Sequence, residues 1–224
     1  MTYPFVAGPK TIAAHFIRAL RSARREKYPY LRWYLKKVFP ESLCTAILVL
    51  PIVPPSLGKT DGTRGSYNDQ RTFFTPSLRA QFPVCENLSQ ALQRSDVALQ
   101  FEKTCGIKAE GSYLRLEYMQ DLNGMWLEPH RDIPEKVFSM VIYLCTGPDA
   151  KDWGTDIYDH ERKWLKRSSA EFNSAAIFKA GPHSWHGFEP RPINGVRRLM
   201  EINYVRNWKS RDQLAFPDQP ISIA

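Results

Sequence analysis

WLEPHRDIPEKVFSMVIYL, residues 126–144, places a histidine and an aspartate two positions apart just ahead of an apolar run. Residues i and i+2 of an extended chain point to the same side. His130 and Asp132 can therefore grip one ion, provided the backbone between them is extended. The plainer reading is a capping aspartate beside a surface histidine. The run at 137–144 is apolar throughout and is closed by Gly147-Pro148-Asp149, which predicts a buried strand.

Working outward, residues 112–120 alternate, with Leu114, Leu116 and Tyr118 on one face and Tyr113, Arg115 and Glu117 on the other. Further short strands are expected at 155–159, 175–181 and 197–205. Strands at this spacing in one half of a chain indicate a β-sandwich or barrel. Neither parallel βαβ units nor internal repeats are visible. Ahead of residue 111 the texture is helical. Ile12, Phe16, Leu20 and Ala23 recur at helical spacing, Arg18, Arg21 and Arg25 follow on another face, and a helix is expected over 11–28, ended by Pro29. Residues 40–50 and 87–103 are expected to be helical, with a glycine-rich loop at 56–72.

The chain has 224 residues, a 43% hydrophobic content sufficient for a real core, and a formal charge of +8. Residues 1–40 hold nine Lys/Arg and one acid, Glu26, whereas 41–224 hold 22 of each sign. The basicity belongs to the N-terminal segment. Residues 11–37 could meet a membrane surface or an acidic partner, or simply form a solvated face over a packed one. Nucleic acid is not expected, because the excess charge lies outside the strand-rich half. Cys44, Cys85, Cys105 and Cys145 are widely spaced without a C-x-x-C pair, which reads as reduced core cysteines in a cytoplasmic protein; a disulfide framework is the alternative. The first ten residues lack the apolar core of a signal peptide, and the apolar stretch at 43–55 is shorter than the ~20 residues a membrane span needs.

A metal at His130 and Asp132 needs a third ligand. Of the five histidines, only His130 has an acid two residues on. The segment AGPHSWHGFEP, 180–190, offers His186, with His183 as a competitor. Two histidines and one carboxylate on one face of a metal leave positions open for a bidentate co-substrate and O2, the pattern of non-haem Fe(II) oxygenases. Eleven and twelve residues past His186 come Arg197 and Arg198, at the start of an apolar strand. An arginine so placed wants an anion, and its planar fork suits a carboxylate.

Together, HRD (130–132), SWHGFEP (184–190) and NGVRRLMEINYV (194–205) resemble the 2-oxoglutarate/Fe(II)-dependent oxygenase superfamily, in its prolyl-hydroxylase-like and phytanoyl-hydroxylase-like branch, over about residues 111–206. The resemblance implies a mainly β protein with N-terminal helices and a double-stranded β-helix (jelly-roll, cupin-like) core. It implies that His130, Asp132 and His186 bind Fe(II), that an arginine anchors the far carboxylate of 2-oxoglutarate, and that Tyr118 hydrogen-bonds the same molecule. Gly195-Val196-Arg197 matches the family's G-x-R pattern, while Arg198 shares a face with Met200, Ile202 and Tyr204; both arginines stay candidates. The implied reaction consumes 2-oxoglutarate and O2, releases succinate and CO2, and hydroxylates a C–H of the substrate. A small metabolite, lipid or sugar-linked intermediate is the first choice, and a protein side chain the second. The rival readings are a non-catalytic jelly-roll binding module and an adaptor working through residues 11–37.

The expected organisation is one compact domain: a basic helical segment at 1–40, helical and loop support at 41–110, the oxygenase core at 111–210 and a tail at 211–224. The first hundred residues carry no motif of the family. The loop at 56–72 is expected at the substrate mouth, with Trp126, Trp185 and Phe188 as walls.

Overall fold

The computed structural model describes residues 7–54, 56–58, 61–65 and 71–223; parts of the expected N-terminal segment and of the 56–72 loop lie outside the described residues. Helix α1 (Pro9–Arg21) begins on a proline whose fixed φ suits a first helical position, and it buries Ile12, Phe16 and Leu20 along one stripe. It stops at Arg21, not at residue 28. Past Ala23 the apolar period gives way to the charged run Arg24-Arg25-Glu26-Lys27, and the chain instead forms two strands, β1 (Arg24–Glu26) and β2 (Arg32–Lys36). Strand β2 buries Trp33 and Leu35 by two-residue alternation. Arg32, read earlier as part of a basic segment, is itself fully buried, its guanidinium taken up by Glu26 and by the carbonyls of Tyr28 and Tyr30.

Helix α2 (Glu41–Leu48) and strand β3 (Arg71–Phe73) follow, then α3 (Pro76–Gln81), α4 (Pro83–Gln93) and α5 (Ser95–Cys105). The helix expected over 87–103 is thus two, divided at Arg94, whose extended backbone turns the chain and whose side chain pairs with Asp96. The remaining strands are β4 (Tyr113–Asp121), β5 (Leu127–His130), β6 (Lys136–Tyr143), β7 (Asp156–Tyr158), β8 (Trp164–Arg167), β9 (Ser174–Phe178), β10 (His186–Phe188) and β11 (Arg197–Val205).

They form two antiparallel sheets. The larger runs β1-β2-β9-β6-β11-β4-β3 and the smaller β5-β10-β7-β8. This is the expected double-stranded β-helix, but β1, β2 and β3 from ahead of residue 111 complete its larger sheet. The expected tail is also built in. Ala215 and Ile221 donate backbone hydrogen bonds to Leu114 and Ser112, and Leu214, Phe216 and Ile221 are buried.

The larger sheet has two unlike faces. Its outer face carries Leu116, Met140, Ile142, Met200 and Ile202, packed under α1, α4 and α5 in the main apolar core. Its inner face turns to the smaller sheet and shares with it a lesser core that includes Met119, Val141, Phe188 and Leu199. The four cysteines are free and buried. No described helix is long and apolar enough to cross a membrane.

Candidate metal centre

Strand β10 lies between β5 and β7, and its first residue, His186, sits directly across from His130, the last of β5. The two imidazoles are 4.4 Å apart between centroids. A glycine makes this approach feasible. A Cβ on Gly187 would lie 2.8 Å from the Leu127 carbonyl oxygen and 3.0 Å from that of Glu128, closer than side chains tolerate. Each ring is oriented by the backbone two residues before it. His130 Nδ1 bonds the Glu128 carbonyl at 2.8 Å and His186 Nδ1 bonds the Ser184 carbonyl at 2.9 Å. An Nδ1–H so engaged leaves Nε2 as the unprotonated, metal-ready nitrogen. Burial, reinforced by His186, pushes the His130 pKa down to about 4, so the ring is neutral at physiological pH.

Asp132 follows β5 in a loop, not in the extended strand its spacing suggested. It lines the same cavity as both histidines. Its carboxylate accepts from Lys136 Nζ at 2.9 Å and from Ser139 Oγ at 2.7 Å. Burial opposes its charge, but Lys136, with help from His186 and Ser139, outweighs burial and holds the carboxyl below its ordinary value. Lys136 is shared with Glu201 at 2.6 Å. Among the described residues no three His, Cys, Asp or Glu side chains close on one point, because Asp132 is turned to its lysine. In kind, the donors suit a ferrous ion: two imidazoles whose Nδ1 atoms are engaged by backbone carbonyls, leaving Nε2 for a metal, and one ionised carboxylate. Lys136 has a second carboxylate partner, so Asp132 can be given up to a metal without stranding a buried ammonium.

The cavity between the sheets holds about 360 Å³. Arg197 lines it, as do Leu199 and Glu201 at alternate positions of β11. The Arg197 guanidinium donates to the Trp153 carbonyl at 2.7 Å and to Asp121 at 2.5 Å, and stacks on Phe188. Asp121 also accepts from Arg64 at 2.8 Å. Two guanidinium groups thus share one carboxylate, which leaves a positive charge for one more anion. Thr155, hydrogen-bonded to the Tyr143 hydroxyl at 2.8 Å, lines the same cavity.

Other expected residues lie elsewhere. Tyr118 and Arg198 do not line the cavity; Tyr118 belongs to the outer core beneath the helices. The face carrying Leu114, Leu116 and Tyr118 is inward only toward the helices, so Tyr118 is corrected as a co-substrate contact. His183 is exposed and packs edge-on against His160, 4.3 Å between centroids. Phe188 forms a wall, whereas Trp185 is sandwiched between Arg131 and Arg162, and Trp126 lies against Gly62. From the expected loop, Arg64 and Arg71 reach the cavity. Lys136, Ser139, Glu201, Arg115, Glu117 and Asp121 were not anticipated. Part of their signal lies in cross-strand register, where Asp121 faces the opposite charge of Arg197.

No family description matches the chain, and no curated protein matches it in sequence. Solved structures do match. A prolyl 4-hydroxylase from Phytophthora capsici aligns with TM-score 0.60 at 12% identity, over 92% of this chain and 70% of its own. A prolyl hydroxylase from Trichoplax adhaerens, in complex with a hypoxia inducible factor peptide fragment, aligns with TM-score 0.58 at 13% identity, over 86% and 88%. A prolyl 4-hydroxylase from Pseudomonas putida aligns with TM-score 0.53 at 14% identity, over 88% and 96%. Helices on the outer face of a large antiparallel sheet, with a short sheet closing over a histidine pair, give this chain the double-stranded β-helix fold of the 2-oxoglutarate/Fe(II)-dependent oxygenases.

Proposed function

We propose that the chain is a 2-oxoglutarate- and Fe(II)-dependent dioxygenase that hydroxylates a C–H of a small-molecule substrate. The observation that carries this reading is the pairing of His130 with His186 inside a cavity that also exposes Asp132 and Arg197. His130, His186 and Asp132 would hold the metal. Bound there, Fe(II) together with 2-oxoglutarate and O2 supplies the oxidising power for hydroxylation, with succinate and CO2 as co-products.

The protein's part is positioning and shielding. The backbone carbonyls of Glu128 and Ser184 fix both imidazole tautomers. Ser139 and Lys136 keep Asp132 ionised. Arg197, with Arg64 and Asp121 behind it, receives the distal carboxylate of the diacid and sets its direction. Phe188, Val141 and Leu199 give that end an apolar lining that limits water. A cavity of about 360 Å³ walled by charged side chains favours a small molecule over a protein chain. The free, buried cysteines support a reducing, cytoplasmic setting.

The test is an anaerobic titration with Fe(II) and 2-oxoglutarate. A visible metal-to-ligand charge-transfer band should appear in the native chain and vanish in His130→Ala and Asp132→Ala. A folded chain with no band, and no succinate formed in air, would remove the oxygenase reading and leave a binding jelly-roll.

A further inference from the structure

The cavity has a second charged end that this chemistry leaves unused. Arg115 stands opposite Asn203, six residues along β11 from Arg197, a separation of roughly 20 Å at ordinary strand rise. Arg115 is 1% exposed, yet it lines the cavity. Its Nη1 bonds Glu117 at 2.5 Å and its Nε bonds the Gln213 side chain at 3.1 Å. Its guanidinium is clamped between the rings of Phe73 and Trp208, at 4.8 and 4.7 Å. Arg71 takes the other oxygen of Glu117 at 2.5 Å. Here too, two guanidinium groups share one carboxylate. Beside them the Trp208 indole nitrogen is a buried donor with no acceptor among the described residues. A buried donor left without a partner carries an uncompensated desolvation penalty, which a ligand oxygen would recover.

Charge balance points the same way. Six cationic residues line the cavity: Arg64, Arg71, Arg115, Arg131, Lys136 and Arg197. Against them stand the carboxylates of Asp132 and Glu201 in the wall and of Glu117 and Asp121 paired to its arginines. Among the described residues the excess is two positive charges. A divalent metal adds two more and a doubly charged 2-oxoglutarate removes two, so the excess persists when both are bound.

We propose that Arg115 and the Trp208 indole N–H form an anion subsite for the primary substrate, a small molecule carrying a carboxylate or phosphate group. The Ser139 that holds Asp132 lies on β6, and β11 separates that strand from β4, which carries Arg115. The anionic group therefore sits on the order of 10 Å from the metal ligands, two strand spacings away, and the reacting C–H lies toward the other end of the molecule. That the bound anion is the substrate rests on the oxygenase reading; that an anion binds here does not.

The experiment is isothermal calorimetry on the full chain loaded with Mn(II) and saturated with 2-oxoglutarate. The probes are inorganic phosphate, phenyl phosphate and benzoate. At least one should bind, and the phosphate and carboxylate arms name the class. Trp208→Phe keeps an aromatic ring for Arg115 to pack on and removes the N–H; it should weaken binding roughly tenfold or more, since a hydrogen bond to a charged group is lost. Arg115→Lys, which keeps the charge but loses the fork, should weaken it further. No binding by a chain that takes up Mn(II) and 2-oxoglutarate overturns the subsite, as does equal binding by Trp208→Phe or displacement of every probe by 2-oxoglutarate. Probe binding that is lost in Trp208→Phe, in a chain that takes up neither Mn(II) nor 2-oxoglutarate, keeps the subsite and sinks the oxygenase reading.

Discussion

Arg197 and Arg198 differ by one position along β11 and so look to opposite sides of the sheet, one into the cavity and the other toward the helices. Arg197→Met should therefore weaken 2-oxoglutarate binding by roughly a hundredfold, the loss expected when a buried charge pair is cut, whereas Arg198→Met should leave it unchanged. Calorimetry with 2-oxoglutarate on Mn(II)-loaded protein checks both. His130 supplies a pH test. Its folded pKa, about 4, lies below the ordinary 6.5, so the unfolded chain takes up the proton first as pH falls. In metal-free protein the stability this ring contributes is fully present above pH 6.5 and drains away between 6.5 and 4, by on the order of 3 kcal/mol. Urea titrations in EDTA across that range should show the fall, and His130→Gln should flatten it. Gly187→Ala acts through space alone. Its methyl group meets two carbonyl oxygens of β5, so β10 must back away and carry His186 from His130. We expect about 1–3 kcal/mol of lost stability together with a loss of Fe(II) affinity; unchanged affinity would mean that β5 and β10 have slack.

At the scale of elements, α5 is held to the sheet by Phe101, which stacks on Phe138 at 4.4 Å and touches Phe16 and Tyr204 at 5.5 Å. Phe101→Ala should cost about 3–5 kcal/mol in a denaturant melt while sparing metal and 2-oxoglutarate binding in the protein that remains folded. The elements also show what the amino-acid order reveals and what it hides. Strand β11 matches its apolar run of 197–205 residue for residue, and β6 nearly so, because a long uninterrupted period is its own signature. Strands β1, β3 and β10 are three residues each and β8 is four, too short for any period to declare itself. The alternation in β4 is visible in the sequence, but alternation alone does not say that its charged face is buried. Arg115, Glu117 and Asp121 are buried, satisfied by partners on β3, on β11 and in the loops, and only the second sheet above them explains that burial. The motif residues themselves could be found from sequence: His130, Asp132, His186 and Arg197 all line one cavity. Tyr118 could not be sorted, since alternation says which residues share a face but not which face meets the cavity.

Taken whole, the molecule leaves little room for a detachable N-terminal module. Residues 24–36 supply the edge of the larger sheet, and α1 covers its outer core. A chain begun at residue 38 should lose its cooperative melt as well as its metal binding, as circular dichroism and calorimetry would report. Any role of residues 11–37 toward an acidic partner or membrane surface is better examined by reversing Arg18 and Arg21, which lie in the last turn of α1. The two unlike faces of the larger sheet have a lasting consequence. Cohesion resides under the helices, and selectivity resides across the backbone from it, on side chains that alternate with the cohesive ones. Evolution can exchange the guests of such a barrel by editing every second residue of β4 and β11, and the scaffold need never renegotiate how it stays together.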